Sequence, residues 1–174
     1  MYRFALIPLA TLALAGPAAA APPSLCAKGE AVAFTCSTGS RLLSVCETEG
    51  GRGLQYRYGT AAKIDLAYPP TGTTPTEAFR SGTMMYSGGG GAWLGFANGA
   101  YSYTVFTAIG RWGPNGAPRS VAGVSVTKDG ADVADIACKG PDTSELGPDL
   151  FVRYGLVTDD PADSFDIPES FLPD

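Results

Sequence analysis

Short alternating segments, separated at regular intervals by turn residues, constrain this chain more than any other feature. "EAVAFTC" and "RLLSVCE" flank "STGS", and "LQYRYG" and "KIDLAYP" follow. "AWLGF" and "YSYTVFTAIG" flank Asn98-Gly99, and "SVAGVSVTK" and "ADVADIAC" flank Asp129-Gly130. Both dipeptides favour the tight turns that join antiparallel strands, because both central positions need positive φ. No amphipathic helix of useful length interrupts the series, so parallel crossovers are excluded. The expected fold is all-β, a small antiparallel barrel or sandwich of about eight to nine strands. A short helix within residues 144–154 is expected to follow, capped by Ser144 or Asp149, and then an acidic tail.

The first twenty residues read as a processing signal. Arg3 precedes an apolar run from Phe4 to about Leu14, and Ala18, Ala19 and Ala20 form a small-residue cleavage site. The run is shorter than the roughly 20 apolar residues a membrane-spanning helix needs. An exported protein of the bacterial periplasm is expected, with no membrane span. The expected organisation is a signal at 1–20, a β-domain at 21–140 and an acidic, proline-rich extension at 141–174. Without the signal and its Arg3, eleven basic residues face seventeen acidic ones, a net charge of −6. That balance disfavours nucleic acid and favours a basic protein partner.

The chain contains no histidine. That removes Ser-His-Asp and Cys-His nucleophiles and the commonest metal ligand. The acid pairs Glu47-Glu49, Asp159-Asp160 and Asp163-Asp166 lie in exposed or extended stretches and read as solvated charge, not as a catalytic dyad. "TKDGADVAD" lacks the alternating acids and terminal Glu of a calcium loop and reads as a hairpin turn. No enzyme, metal or cofactor is therefore expected. Cys26, Cys36, Cys46 and Cys138 form an even set without a C-x-x-C pair, which in an exported chain means two disulfides with three pairings open.

"YSGGGGAWLGF" is the strongest candidate for a site. Four consecutive glycines, Gly88, Gly89, Gly90 and Gly91, let backbone approach another molecule closely and present bare N–H groups. Ser87 adds a hydroxyl donor, and Tyr86 and Trp93 are rigid anchors of the kind found at binding hot spots. Read as an exposed loop tip, this stretch predicts that Gly89→Val harms binding more than folding. Tyr101 and Tyr103 share a sheet face across the turn from Trp93 and offer a second surface, an aromatic platform for sugar stacking. Tyr56 and Tyr58 read as ordinary strand packing.

Phe34-Thr35-Cys36, Ser87-Gly88, Trp93, Gly99-Ala100-Tyr101-Ser102-Tyr103 and Ile136-Ala137-Cys138 occur in an order that resembles the small exported bacterial inhibitors of c-type lysozyme and the related periplasmic inhibitors of i-type lysozyme. The likeness covers roughly residues 30–138. It implies a small antiparallel β-barrel or sandwich whose Ser-Gly loop enters the lysozyme cleft and hydrogen-bonds the catalytic carboxylates, a role falling on Ser87 and Gly88. Ser81-Gly82 with Tyr86 is a competing alignment of the same motif. The basic residue that follows the loop in the c-type inhibitors has no counterpart in "FANGAYSY". The expected partner is lysozyme or another basic, cleft-bearing protein, and a homodimer is compatible with the sequence. The alternative is a carbohydrate-binding, peptidoglycan-binding or structural envelope domain. A turn near Thr38-Gly39 sets Cys46 opposite about residue 31, close to Cys26, which favours Cys26–Cys46. Cys36–Cys138 then remains, and it is also the pairing the resemblance implies.

Overall fold

The computed structural model describes residues 22–48, 50–86, 88–156 and 164–172. Ten strands form two antiparallel five-stranded sheets, one more strand than the upper expectation. The arrangement is a sandwich, not a closed barrel. The chain runs through β1 (Ala31–Ser37), β2 (Leu42–Glu47), β3 (Leu54–Thr60) and β4 (Lys63–Tyr68). A four-residue helix, α1 (Pro75–Ala78), leads into β5 (Arg80–Tyr86), β6 (Gly89–Asn98), β7 (Tyr101–Gly110), β8 (Arg119–Lys128) and β9 (Ala131–Ala137). β10 (Asp142–Ser144) and α2 (Pro148–Arg153) follow. The first sheet has the order β10-β1-β2-β3-β4 and the second β5-β6-β7-β8-β9.

The period-two pattern explains which side chains meet. Leu43 and Val45 of β2 and Leu54 and Tyr56 of β3 point inward from the first sheet. Ala92, Leu94 and Phe96 of β6, Val105 of β7, and Val124 and Val126 of β8 oppose them. These residues are buried because alternate strand positions share a face. The segment after residue 140 belongs to this fold. β10 pairs with β1, and Leu150 and Phe151 of α2 lie in the core. α2 begins after Gly147, not at Ser144 or Asp149. Its C-terminal end is held by Glu47, which is buried and accepts from Arg153 Nη1 at 2.8 Å and the Tyr154 hydroxyl at 2.7 Å. Glu47 is therefore a paired structural acid, not a solvated one. Glu49, Asp159, Asp160 and Asp163 lie outside the described residues.

Part of the outer face of each sheet is covered by a segment that flanks the strands. On the second sheet, Phe171 packs edge-on against Phe106 at 4.7 Å, with Phe165 and Ile167 alongside, over Trp93 and Ala108. On the first, Leu25 N donates to Ser44 Oγ, and Thr35 Oγ1 donates to Pro23 O. The bonds Cys26–Cys46 and Cys36–Cys138 span Cα separations of 5.3 and 5.6 Å. The first ties the N-terminal segment to β2. The second joins β1 of one sheet to the end of β9 in the other. No cysteine is free, which fits an oxidising environment outside the cytoplasm. Among the described residues no helix is long and apolar enough to cross a membrane.

Arg57 locks the N-terminal segment with a two-toothed ion pair. Its Nη1 and Nη2 reach Glu30 Oε2 and Oε1 at 2.6 and 2.8 Å, and Nη1 also donates to Leu25 O. The Arg57 guanidinium holds the Glu30 carboxyl below its ordinary value, with burial opposing it. A depressed carboxyl pKa contributes stability in full above the unfolded value of about 4.3, and that stability is lost as pH falls through the folded value. Urea midpoints measured across this acid range should fall for the native chain. Glu30→Gln should lower the neutral-pH midpoint and flatten the acid slope.

Candidate functional site

The β5–β6 hairpin places the glycine-rich stretch at one end of the second sheet. The last cross-strand pair is Tyr86 with Gly89, so two residues of sequence, 87 and 88, connect the strands. Ser87 itself lies outside the described residues. Gly88 is exposed, with φ of +79°. A Cβ on it would stand 2.5 Å from Arg111 Cδ and 2.6 Å from Cγ, so the Arg111 side chain lies against the bare turn backbone. Arg111 Nε donates to Gly116 O at 3.1 Å, which holds it to the neighbouring β7–β8 connection. A basic group thus stands beside Gly88, supplied by a residue 23 positions further along the chain.

The remaining glycines are not a loop. Gly89, Gly90 and Gly91 are β6 residues, paired with Tyr86, Met85 and Met84 on β5. Gly90 and Gly91 also pair with Ile109 and Ala108 on β7. They are required by close approach within the sheet. A Cβ at Gly89 would sit 1.9 Å from Ile109 O, and one at Gly91 would sit 2.5 Å from Thr107 O. These three residues therefore serve the fold and do not form a flexible tip.

Trp93 is likewise structural. It is only 5% exposed. Cβ atoms on Gly82 and Gly95 would meet its ring at 2.5 and 3.2 Å, so the two glycines make a slot for the indole. Phe165 packs over it at 6.3 Å. Ser81 and Gly82 are buried strand residues of β5, which removes their alignment as an exposed motif. Tyr86 is half-buried, with its ring 5.4 Å from Trp112. Its hydroxyl is buried without a partner among the described residues, and burial pushes the phenol pKa up.

Tyr101 and Tyr103 lie together, with ring centroids 6.5 Å apart, but Trp93 is not part of their surface. Trp93 pairs with Phe106 on the outer face, whereas Tyr103 belongs with Phe96 on the inner one. Tyr103 stacks on Phe96 at 4.8 Å and 8°, and Tyr68 stacks on Phe96 at 4.4 Å and 14°. Tyr101 carries the Lys128 ammonium 5.4 Å over its ring. Its ring is therefore engaged within the chain. An open groove of about 540 Å³ lies near the other end of β6, lined among others by Tyr68, Phe96, Tyr103 and Thr104.

Charge distinguishes the Ser-Gly end. From Ala78 to Lys128 there is no aspartate or glutamate, while Arg80, Arg111, Arg119 and Lys128 occur. Strands β5 to β8 are thus acid-free in a chain of net charge −5. Arg119 faces Gly110 on β7, one residue from Arg111, so two of the four cations sit by the turn. The result is a sheet end with an exposed positive-φ glycine, an arginine against it and no acid on strands β5 to β8. Such a surface can donate hydrogen bonds to carboxylates without like-charge repulsion. No protein-family model, curated protein or solved structure matches the chain.

Proposed function

We propose that the protein is an exported, periplasmic inhibitor of lysozyme that does no chemistry of its own. The β5–β6 turn enters the enzyme's acidic cleft. The Ser87 hydroxyl and the Gly88 N–H donate to its carboxylates, while Arg111 supplies charge beside them. The observation that carries this reading is the packing of Arg111 against Gly88 beside the acid-free strands β5 to β8 of an acidic protein. A net negative charge steers the molecule toward a cationic enzyme, and the basic turn then meets the acidic catalytic groups in its cleft. The signal-like start of the chain and the two disulfides fit the same compartment.

The test is a pull-down and inhibition panel of several lysozyme types, with peptidoglycan alone as a parallel arm. Wild type should inhibit at least one enzyme. Ser87→Ala removes a donor to a charged acceptor, a bond worth about 1.5–3 kcal/mol, so inhibition should weaken by roughly one to two decades. Its melting temperature should not move, since the change removes a single hydroxyl next to the exposed Gly88. The groove beside Tyr103 and Phe96 favours a second reading, a glycan-binding envelope domain. Retention on peptidoglycan with no lysozyme inhibited would select it.

A further inference from the structure

Beside the turn, two apolar side chains stand in water. Met85 is 92% exposed and Ile109 49%. Both flank Gly90 in register, Met85 opposite Gly90 on one side and Ile109 opposite it on the other. Directly opposed residues of antiparallel strands present side chains on one face. At a strand spacing of about 4.8 Å, the methionine and isoleucine rise roughly 10 Å apart with only glycine backbone between them. Gly90 has its own steric reason to lack a side chain, since a Cβ would lie 2.9 Å from Met84 O. The consequence is a trough with two apolar walls. Met85 lies two residues before Ser87, and Ile109 two residues before Arg111, so trough and donors share one end of the sheet.

We infer that this trough is the second contact of the inhibitory tip, seating a bulky apolar side chain on the rim of the partner's carboxylate-lined cleft. The inference rests on the inhibitor reading above. Charge chooses the occupant. The strands that carry the trough hold no acid, and Arg111 follows Ile109 by two residues at its end, so its partner brings carboxylates. A second copy of this chain would set its own Arg111 against this one. A methionine at the wall suits a side chain of irregular shape, because its unbranched stem adapts to what it meets.

Met85→Ser and Ile109→Ser remove the walls without adding charge, and Met85→Ser removes no core contact. In the lysozyme assay, Met85→Ser should weaken inhibition tenfold or more at unchanged melting temperature, and the double variant further. Inhibition equal to wild type in both variants would overturn the trough and leave the Ser-Gly reading standing. A wild type that inhibits no lysozyme would overturn both. Binding of that wild type to phosphatidylglycerol vesicles, or a Met85-dependent dimer in sedimentation velocity, would assign the trough to a membrane or to a second copy instead.

Discussion

Gly89→Val should destabilise the folded protein by about 4 kcal/mol or more, or prevent folding altogether. This reverses the outcome expected of an exposed tip. The obstacle is spatial, not conformational. The valine Cβ would fall 1.9 Å from Ile109 O, 2.7 Å from Gly110 Cα and 2.8 Å from Ile109 C, all backbone atoms. No rotamer change relieves a clash with backbone, so β6 and β7 must separate at their ends. Gly91 is similarly confined, with Thr107 O at 2.5 Å and the Ala108 Cβ at 2.7 Å. Domains of this size have only about 5–15 kcal/mol of stability in total. Urea unfolding followed by tryptophan fluorescence measures the loss. A Gly89→Val protein with the wild-type midpoint would mean that the two strands do not approach as described.

The disulfides should differ in worth. Cys36→Ala with Cys138→Ala opens a bond between residues 102 apart, and Cys26→Ala with Cys46→Ala one between residues 20 apart. Loop-closure entropy assigns about 4.7 kcal/mol to a loop near 100 residues and about 3 kcal/mol to one near 15. The first bond also ties one sheet of the sandwich to the other, and Cys36 is fully buried. Removal of Cys36–Cys138 should therefore lower stability by about 4–5 kcal/mol, the larger of the two losses. Removal of Cys26–Cys46 should cost about 3 kcal/mol and loosen chiefly residues 22–30. Paired denaturation curves decide the order, and a larger loss from the Cys26–Cys46 variant would contradict it.

Much of the sheet order was legible because local signals and tertiary pairing agree. Asp129-Gly130 does turn the β8–β9 hairpin, with both residues at positive φ. The β6–β7 turn is Gly99-Ala100, one residue beyond the expected Asn98-Gly99, because Asn98 still pairs with Tyr101. Alternation in "RLLSVCE" and "LQYRYG" marks the inward residues. The glycine run misleads because low strand propensity reads as loop, while the neighbour that demands glycine, Ile109 O, lies some twenty residues downstream. Trp93 misleads for the same reason. The slot that buries it is made by Gly82 and Gly95, and a missing side chain leaves no hydrophobic signal. β10 is three residues long in a polar, proline-rich stretch, too short for any period to register. Arg111 was separated from the Ser-Gly turn by two strands. The absence of acid between Ala78 and Lys128 was the available sign that strands β5 to β8 differ in charge from the rest of the chain.

Amide hydrogen exchange on the complex with the lysozyme best inhibited locates the contact most directly. The account predicts slowed exchange at residues 84–91 and 109–112, at the β5–β6 turn, its glycine trough and Arg111. Protection confined to residues 101–104 and 128, with the turn exchanging as in the free protein, would contradict it.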